Sequence, residues 1–233
     1  MRIDLAINIL PQLLMGTAVT ILLVALSTIM GFLFVALPLG IARRSRWFWL
    51  RSFSAAYDFI FRGTPLIVLL YIVYYGLSTV ELIRQTSFWI VFREPYFCAL
   101  LALSLNTGAY GAEIVQGALA SVPTGLREAA ASLGLSKWRR LLLVEGPIAV
   151  RYALAPYLHE VVALTKATAV VSTITILDLM GTASAIYTET LDVFTPLLSA
   201  GAIYTILVIA LTQITLTIER RLDVSSQNTK SSA

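Results

Sequence analysis

The sequence predicts an all-α membrane protein with five transmembrane helices. Two observations carry this. The chain is 58% hydrophobic and only 13% charged. In addition, no Asp, Glu, Lys or Arg occurs from Leu5 to Ala42 or from Val193 to Ile218. Both stretches exceed the roughly 20 apolar residues that cross a bilayer as a helix. Buried helices of soluble proteins are seldom so long and so free of charge.

The spans follow in order. The first lies within Pro11–Ala42, the second covers Phe59–Val80 and the third Tyr96–Gln116. The fourth covers Ile148–Leu177 although Arg151, His159, Glu160 and Lys166 interrupt it. Such residues are tolerated in a span when they face the bundle interior or a wet cavity. The fifth is Phe194–Ile218. Loop charges orient the bundle. Arg43, Arg44, Arg46 and Arg51 follow the first span without an acid, and Arg127, Lys137, Arg139 and Arg140 outnumber Glu128 and Glu145 after the third. Arg220 and Arg221 follow the fifth. The loop with Glu81, Arg84, Arg93 and Glu94 is balanced, and the one with Asp178, Glu189 and Asp192 has no base. Because basic loops stay on the cytoplasmic side, the N-terminus is expected outside and the C-terminus inside.

The net charge of +4 comes from residues that flank spans and form no single patch, so it does not point to nucleic acid. The N-terminus lacks a short apolar core ending in an A-x-A-like cleavage site and is read as an uncleaved first span. One cysteine, Cys98, permits neither an intramolecular disulfide nor a cysteine metal cluster.

Residues 124–147 form a polar, helix-prone loop between spans three and four. Pro123 ends the preceding helix, and Thr124 is the expected N-cap of a new one. Leu126, Ala129, Ala130 and Leu133 share one face, and Glu128 lies where the helix dipole favours an acid. Gly134 is expected to end this helix in the left-handed conformation. Ser136 would then cap a second short helix through Trp138 and Leu143. Two roles remain open on these grounds: a hairpin on the lipid headgroups, which Lys137, Trp138, Arg139 and Arg140 would suit, or a docking loop for a cytoplasmic partner.

The segment Glu128–Pro147, EAAASLGLSKWRRLLLVEGP, resembles the EAA loop of permease subunits of bacterial ABC importers. The matching positions are Glu128, Ala129, Ala130, Gly134, Val144 and Pro147. Gly146 departs from the pattern, since the family usually has a large apolar residue there. Two further motifs, DFIFRGTPLIVLLYIVYYG and LNTGAYGAEIVQGALASVPTGLREAA, are similar to the polar amino acid branch, and LSTVELIRQTSFW resembles the M-type subunit of basic amino acid and opine importers. The resemblance runs from about Gly16 to Arg221. It implies a type I importer transmembrane fold with a periplasmic N-terminus, forming a single permease domain over residues 1–233 with a short cytoplasmic tail at 222–233. It also implies coupling to ATPase subunits through Glu128, Ala129, Ala130 and Gly134. The implied partners are two copies of a cytoplasmic ATP-binding-cassette ATPase, a homologous Q-type permease in a heterodimer, and a periplasmic amino-acid-binding protein. ATP and Mg would bind the ATPases. This chain would bind no cofactor, and no G-x-x-x-x-G-K-S/T phosphate loop occurs in it.

Candidate pathway residues lie in spans two to four. Asp58 and Arg62 can pair at i, i+4, and Gly63, Thr64 and Pro65 would break or kink the helix after them. Asn106, Tyr110, Glu113 and Gly117 fall within about 60° of one another on a helix. They form either a stretch of translocation path or a polar seam between helices. Glu160 is the stronger candidate for a cationic group. Its alternative is an internal pair with Lys166 or Arg151. His159 has no second ligand at metal spacing and is expected to pack or line the path. Two other classes compete with an importer subunit. A secondary transporter driven by an ion gradient would show internal repeats, and none is convincing. An intramembrane enzyme would need a nucleophile, base and orienter, which are not visible.

Overall fold

The computed structural model describes residues 3–87 and 89–222, and these are helical with short connections. Helix α1 starts as Ile3–Gly31, widens into a π turn at Phe32–Ala36 and continues as Leu37–Ala42. As one rod, Asp4–Ala42 is about 58 Å long at 1.5 Å per residue, well beyond a 30 Å hydrocarbon core. A second long rod, α6, starts at Lys137–Arg140. It passes through a π turn at Leu141–Glu145 and runs on as Gly146–Ala167 and a 3-10 segment, Thr168–Ile174. Each of these π turns ends two residues before a proline, Pro38 and Pro147. A proline ring collides with the carbonyl four residues earlier in a regular helix, and that carbonyl belongs here to Phe34 or Leu143. The widened turn moves it aside without ending the rod.

The second span departs most from expectation. It is an amphipathic helix, α2 (Phe48–Gly63), and a separate helical segment, α3 (Leu66–Thr79), bent by 102° from it. Thr64 and Pro65 adopt extended ψ values of 127° and 136°, since the residue before a proline is driven out of the helical region. Alone, α3 is about 21 Å long and does not span a bilayer. The described chain therefore has four helices long and apolar enough to cross, and a fifth crossing if the bent pair counts as one. Two short helices, Glu81–Arg84 and Trp89–Phe92, lead into α4 (Pro95–Ala120).

Helix α4 is the axis of the bundle. In its most apolar window 67% of residues are buried, against 11–28% in the other three spans. Small residues make this possible. A Cβ on Gly108 would lie 2.5 Å from Val35 Cβ, and one on Gly111 would lie 2.7 Å from Ala36 Cβ and 3.1 Å from the Tyr157 ring. Gly108 and Gly111 thus let α4 sit close against α1 and α6. The larger core around them joins Leu23, Leu70, Leu103, Val171 and Ile174.

The EAA-like loop begins with α5 (Thr124–Ser132). After α6 the chain makes a further helix, α7 (Leu179–Thr190), in a stretch expected to be an acidic loop. Asp178 caps it by accepting from the Gly181 N–H at 2.8 Å, and Tyr204 donates to the other carboxylate oxygen at 3.3 Å. The Leu179 N–H donates to Thr20 Oγ1 at 3.1 Å. These bonds pin α7 between α1 and the last helix, α8 (Phe194–Leu222). Apart from Leu222, the expected tail at 222–233 lies outside the described residues.

Candidate functional site

Two polar assemblies interrupt the apolar bundle. The first sits where the end of α2 crosses the middle of α4. The break at Thr64–Pro65 leaves Arg62 in the last turn of α2, facing α4. Arg62 pairs with Asp58 at 3.3 Å and with Glu113, and its guanidinium lies 5.0 Å from the centre of the Tyr110 ring. Asp58 also binds Arg43 at 2.9 Å, and Arg43 donates to Gln116 at 3.0 Å. The Asn106 amide donates to the Phe61 carbonyl at 2.9 Å, and Tyr57 donates to the Leu105 carbonyl at 2.9 Å. The polar stripe Asn106, Tyr110, Glu113 thus faces α2, and charges alternate along Arg43, Asp58, Arg62 and Glu113. Gly117 continues the stripe into open space, with nothing within 4 Å of a Cβ placed there.

Glu160 enters from α6 on the neighbouring face of α4. It accepts a hydrogen bond from Thr107 at 3.2 Å. Neither Lys166 nor Arg151 pairs with it, and no ion pair to Glu160 forms among the described residues. The adjacent His159 pairs with Glu219 of α8 at 3.3 Å, a helix-packing contact.

The second assembly is the EAA-like loop. Pro123, not Thr124, occupies the N-cap position of α5, and no side chain caps it. Gly134 has φ of 75°, and the Gly134 and Leu135 N–H groups donate to Ala131 and Ala130 carbonyls at 2.9 and 3.2 Å. This pair of bonds satisfies carbonyls that the helix end would leave free. Ser136 caps the next helix through the Arg139 N–H at 3.4 Å. That helix is the start of α6 and does not end near Leu143, because the π turn carries it on as Gly146–Ala167. Of the four expected coupling residues, Glu128, Ala129 and Gly134 are exposed and Ala130 is buried. Leu126, Leu133 and Trp138 are 45%, 81% and 67% exposed, so the loop carries apolar side chains that the described residues leave open.

Beneath the loop lies Glu145, 4% exposed. Arg44, Arg140 and Arg127 surround it at 3.0, 3.1 and 3.4 Å. Arg44 and Arg127 also donate to the Leu119 carbonyl at the end of α4. Sequence reasoning counted Glu145 as one loop charge among several. Its signal was the placement of a lone acid beside Gly146, the position that departs from the family pattern.

The model of a protein family described as binding-protein-dependent transport system inner membrane component matches residues 33–224. The chain belongs to that family. It is 38% identical over 205 residues to the nopaline transport system permease protein NocM of Agrobacterium fabrum, covering 88% of this chain and 85% of that one. It is 38% identical over 193 residues to the histidine/lysine/arginine/ornithine transport system permease protein HisM of Escherichia coli, covering 82% and 81%. A solved structure of an amino acid ABC transporter with histidines matches with a TM-score of 0.81 and 27% identity over 92% of this chain and 96% of that one. The chain is therefore a permease component of an ATP-driven system, and ATP hydrolysis belongs to a separate subunit. The ion-gradient alternative finds no support among these relatives.

Proposed function

We propose that this chain forms one half of a path that carries basic amino acids or opines inward, with Glu160 contacting the cationic group. The observation that carries the reading is Glu160 itself. It is a partly buried carboxylate in a span, held by one hydroxyl and given no cation of its own among the described residues. A guanidinium or ammonium group can supply the missing charge-assisted hydrogen bonds. Relatives named for nopaline and for histidine, lysine, arginine and ornithine support that substrate class. Asn106, Tyr110 and Glu113 line the same path, where Arg62 occupies Glu113 and leaves Glu160 for the substrate.

The N-terminus is periplasmic in this reading, because Arg43, Arg44 and Arg46 lie at the same end of the bundle as the EAA-like loop. Residues 1–233 act as one permease domain, with 124–147 as its cytoplasmic loop. Glu128, Ala129, Ala130 and Gly134 shape the loop's contact with the ATPase, and its uncovered Leu126, Leu133 and Trp138 support such docking. The complete machine holds this chain, a Q-type permease, two ATPases with ATP and Mg, and a periplasmic binding protein. The test is uptake of labelled arginine into proteoliposomes holding that complex. Accumulation that requires ATP is the expected result. Accumulation without ATP, or failure with arginine, lysine and opines alike, contradicts the reading.

A further inference from the structure

We propose that Glu145 is a positioning residue that locks the EAA-like loop to the ends of three spans, so that loop and spans move as one body. The inference rests on the docking reading of the loop given above. Glu145 lies at the end of the π turn inside α6 and is nearly inaccessible to solvent. Its two carboxylate oxygens serve three guanidinium groups from three places in the chain: Arg140 from the start of α6, Arg127 from α5, and Arg44 from just beyond α1. Through Arg44 and Arg127 the cluster also grips the Leu119 carbonyl, where the C-terminal end of α4 favours positive charge. The ends of α1, α4, α5 and α6 thus meet at one carboxylate.

Geometry gives the cluster a mechanical role. Among the described residues α5 is joined to the chain behind it by Ser121–Pro123 and to α6 by the turn at Leu133–Leu135. Few apolar contacts back it, since Leu126 and Leu133 point away and Ala130 is the buried side chain of the helix. A push on an element held only by backbone turns would be absorbed there. With Arg127 anchored on Glu145, the push reaches α6, α4 and the end of α1. A buried charge without partners is strongly unfavourable, so the cluster stays closed as the loop moves.

The variants are Glu145→Gln, Glu145→Asp, Arg44→Gln and the Glu145→Gln/Arg44→Gln double variant, each assembled in the complete transporter. The readout is arginine taken up per ATP hydrolysed in proteoliposomes, beside the amount of ATPase co-purifying with the permease. Couplings between sites commonly span 5–150-fold. Glu145→Gln is therefore expected to lower the uptake-to-hydrolysis ratio roughly tenfold with ATPase still bound, while Glu145→Asp recovers part of it. Among the described residues, the Arg44 side chain touches the loop's machinery through Glu145 and the Leu119 carbonyl. Its replacement should uncouple to a similar degree, and the double variant should be no worse than Glu145→Gln alone. If Glu145→Gln fails to accumulate, Arg44→Gln carries the test by itself. A wild-type ratio in Arg44→Gln, or losses that multiply in the double variant, would overturn the proposal. Wild-type protein that neither binds an ATPase nor transports arginine would instead count against the functional reading.

Discussion

At the scale of single residues, the seating of α4 depends on what is missing from its surface. Gly108 faces Val35 and the Gly31 carbonyl at distances where no added carbon fits, and overpacking of this kind typically costs about 1–3 kcal/mol. Gly201 on α8 has nothing within 4 Å of a Cβ. Gly108→Ala should therefore lower the midpoint of thermal unfolding in detergent by several degrees, while Gly201→Ala leaves it unchanged or raises it slightly. Equal midpoints for the two variants would contradict the described packing. The same scale shows what the sequence could reveal about the site. The i, i+4 spacing of Asp58 and Arg62 and the helical stripe of Asn106, Tyr110 and Glu113 were visible in one dimension. That α2 and α4 cross at Arg62 was not, because periodicity orders residues around one helix and says nothing of which helix faces them. The small residues Gly108 and Gly111 let α4 approach α1 and α6 closely, which periodicity along one helix does not reveal either.

At the scale of elements, the EAA-like loop was legible in its chemistry and less so in its extent. Gly134 and Ser136 do what their residue types favour, and Pro123 lies one residue from the expected cap. The second loop helix was expected to stop near Leu143 because Gly146 and Pro147 resemble a terminus. A π turn absorbs the proline instead, since a proline shows where a helix is disturbed and not whether it stops or widens there. Helix α7 was missed for a related reason. It is short, and its acids resemble loop residues, whereas Asp178 is a buried cap bound to Gly181 and Tyr204. For the loop itself, Glu128→Lys places a cation on its exposed face, and Gly134→Leu forces a branched side chain into a left-handed conformation. Both variants should depress binding-protein-stimulated ATP hydrolysis at least severalfold while the protein reaches the membrane in normal amounts. Normal stimulation in both would remove the loop from the coupling path.

At the scale of the whole molecule, four long helices and one bent pair leave a large apolar surface uncovered. Met15, Phe34, Trp49, Phe59 and Phe194 are each more than 70% exposed, which suits lipid and a neighbouring subunit. The long uncharged stretches marked the first and last spans, and four long helices with one bent pair stand where five spans were expected. The 102° bend was not legible, since Gly63-Thr64-Pro65 announces a break without its angle. A path for an amino acid needs more helices than this chain supplies, so native mass spectrometry of the gently extracted complex should show one copy of this chain, one homologous permease and two ATPases. Two copies of this chain in an active complex would replace the heterodimer by a homodimer.

Glu160 in α6, a carboxylate with no ion-pair partner among the described residues, is proposed to receive the substrate's positive charge. Binding of labelled arginine to the purified permease–ATPase complex, free of the periplasmic protein, tests it most directly. Charge-assisted hydrogen bonds contribute about 1.5–3 kcal/mol, so Glu160→Gln should weaken arginine binding about tenfold or more, with complex assembly unchanged. Equal affinity in wild type and Glu160→Gln would contradict the account and leave Glu160 as a helix-packing acid bound to Thr107.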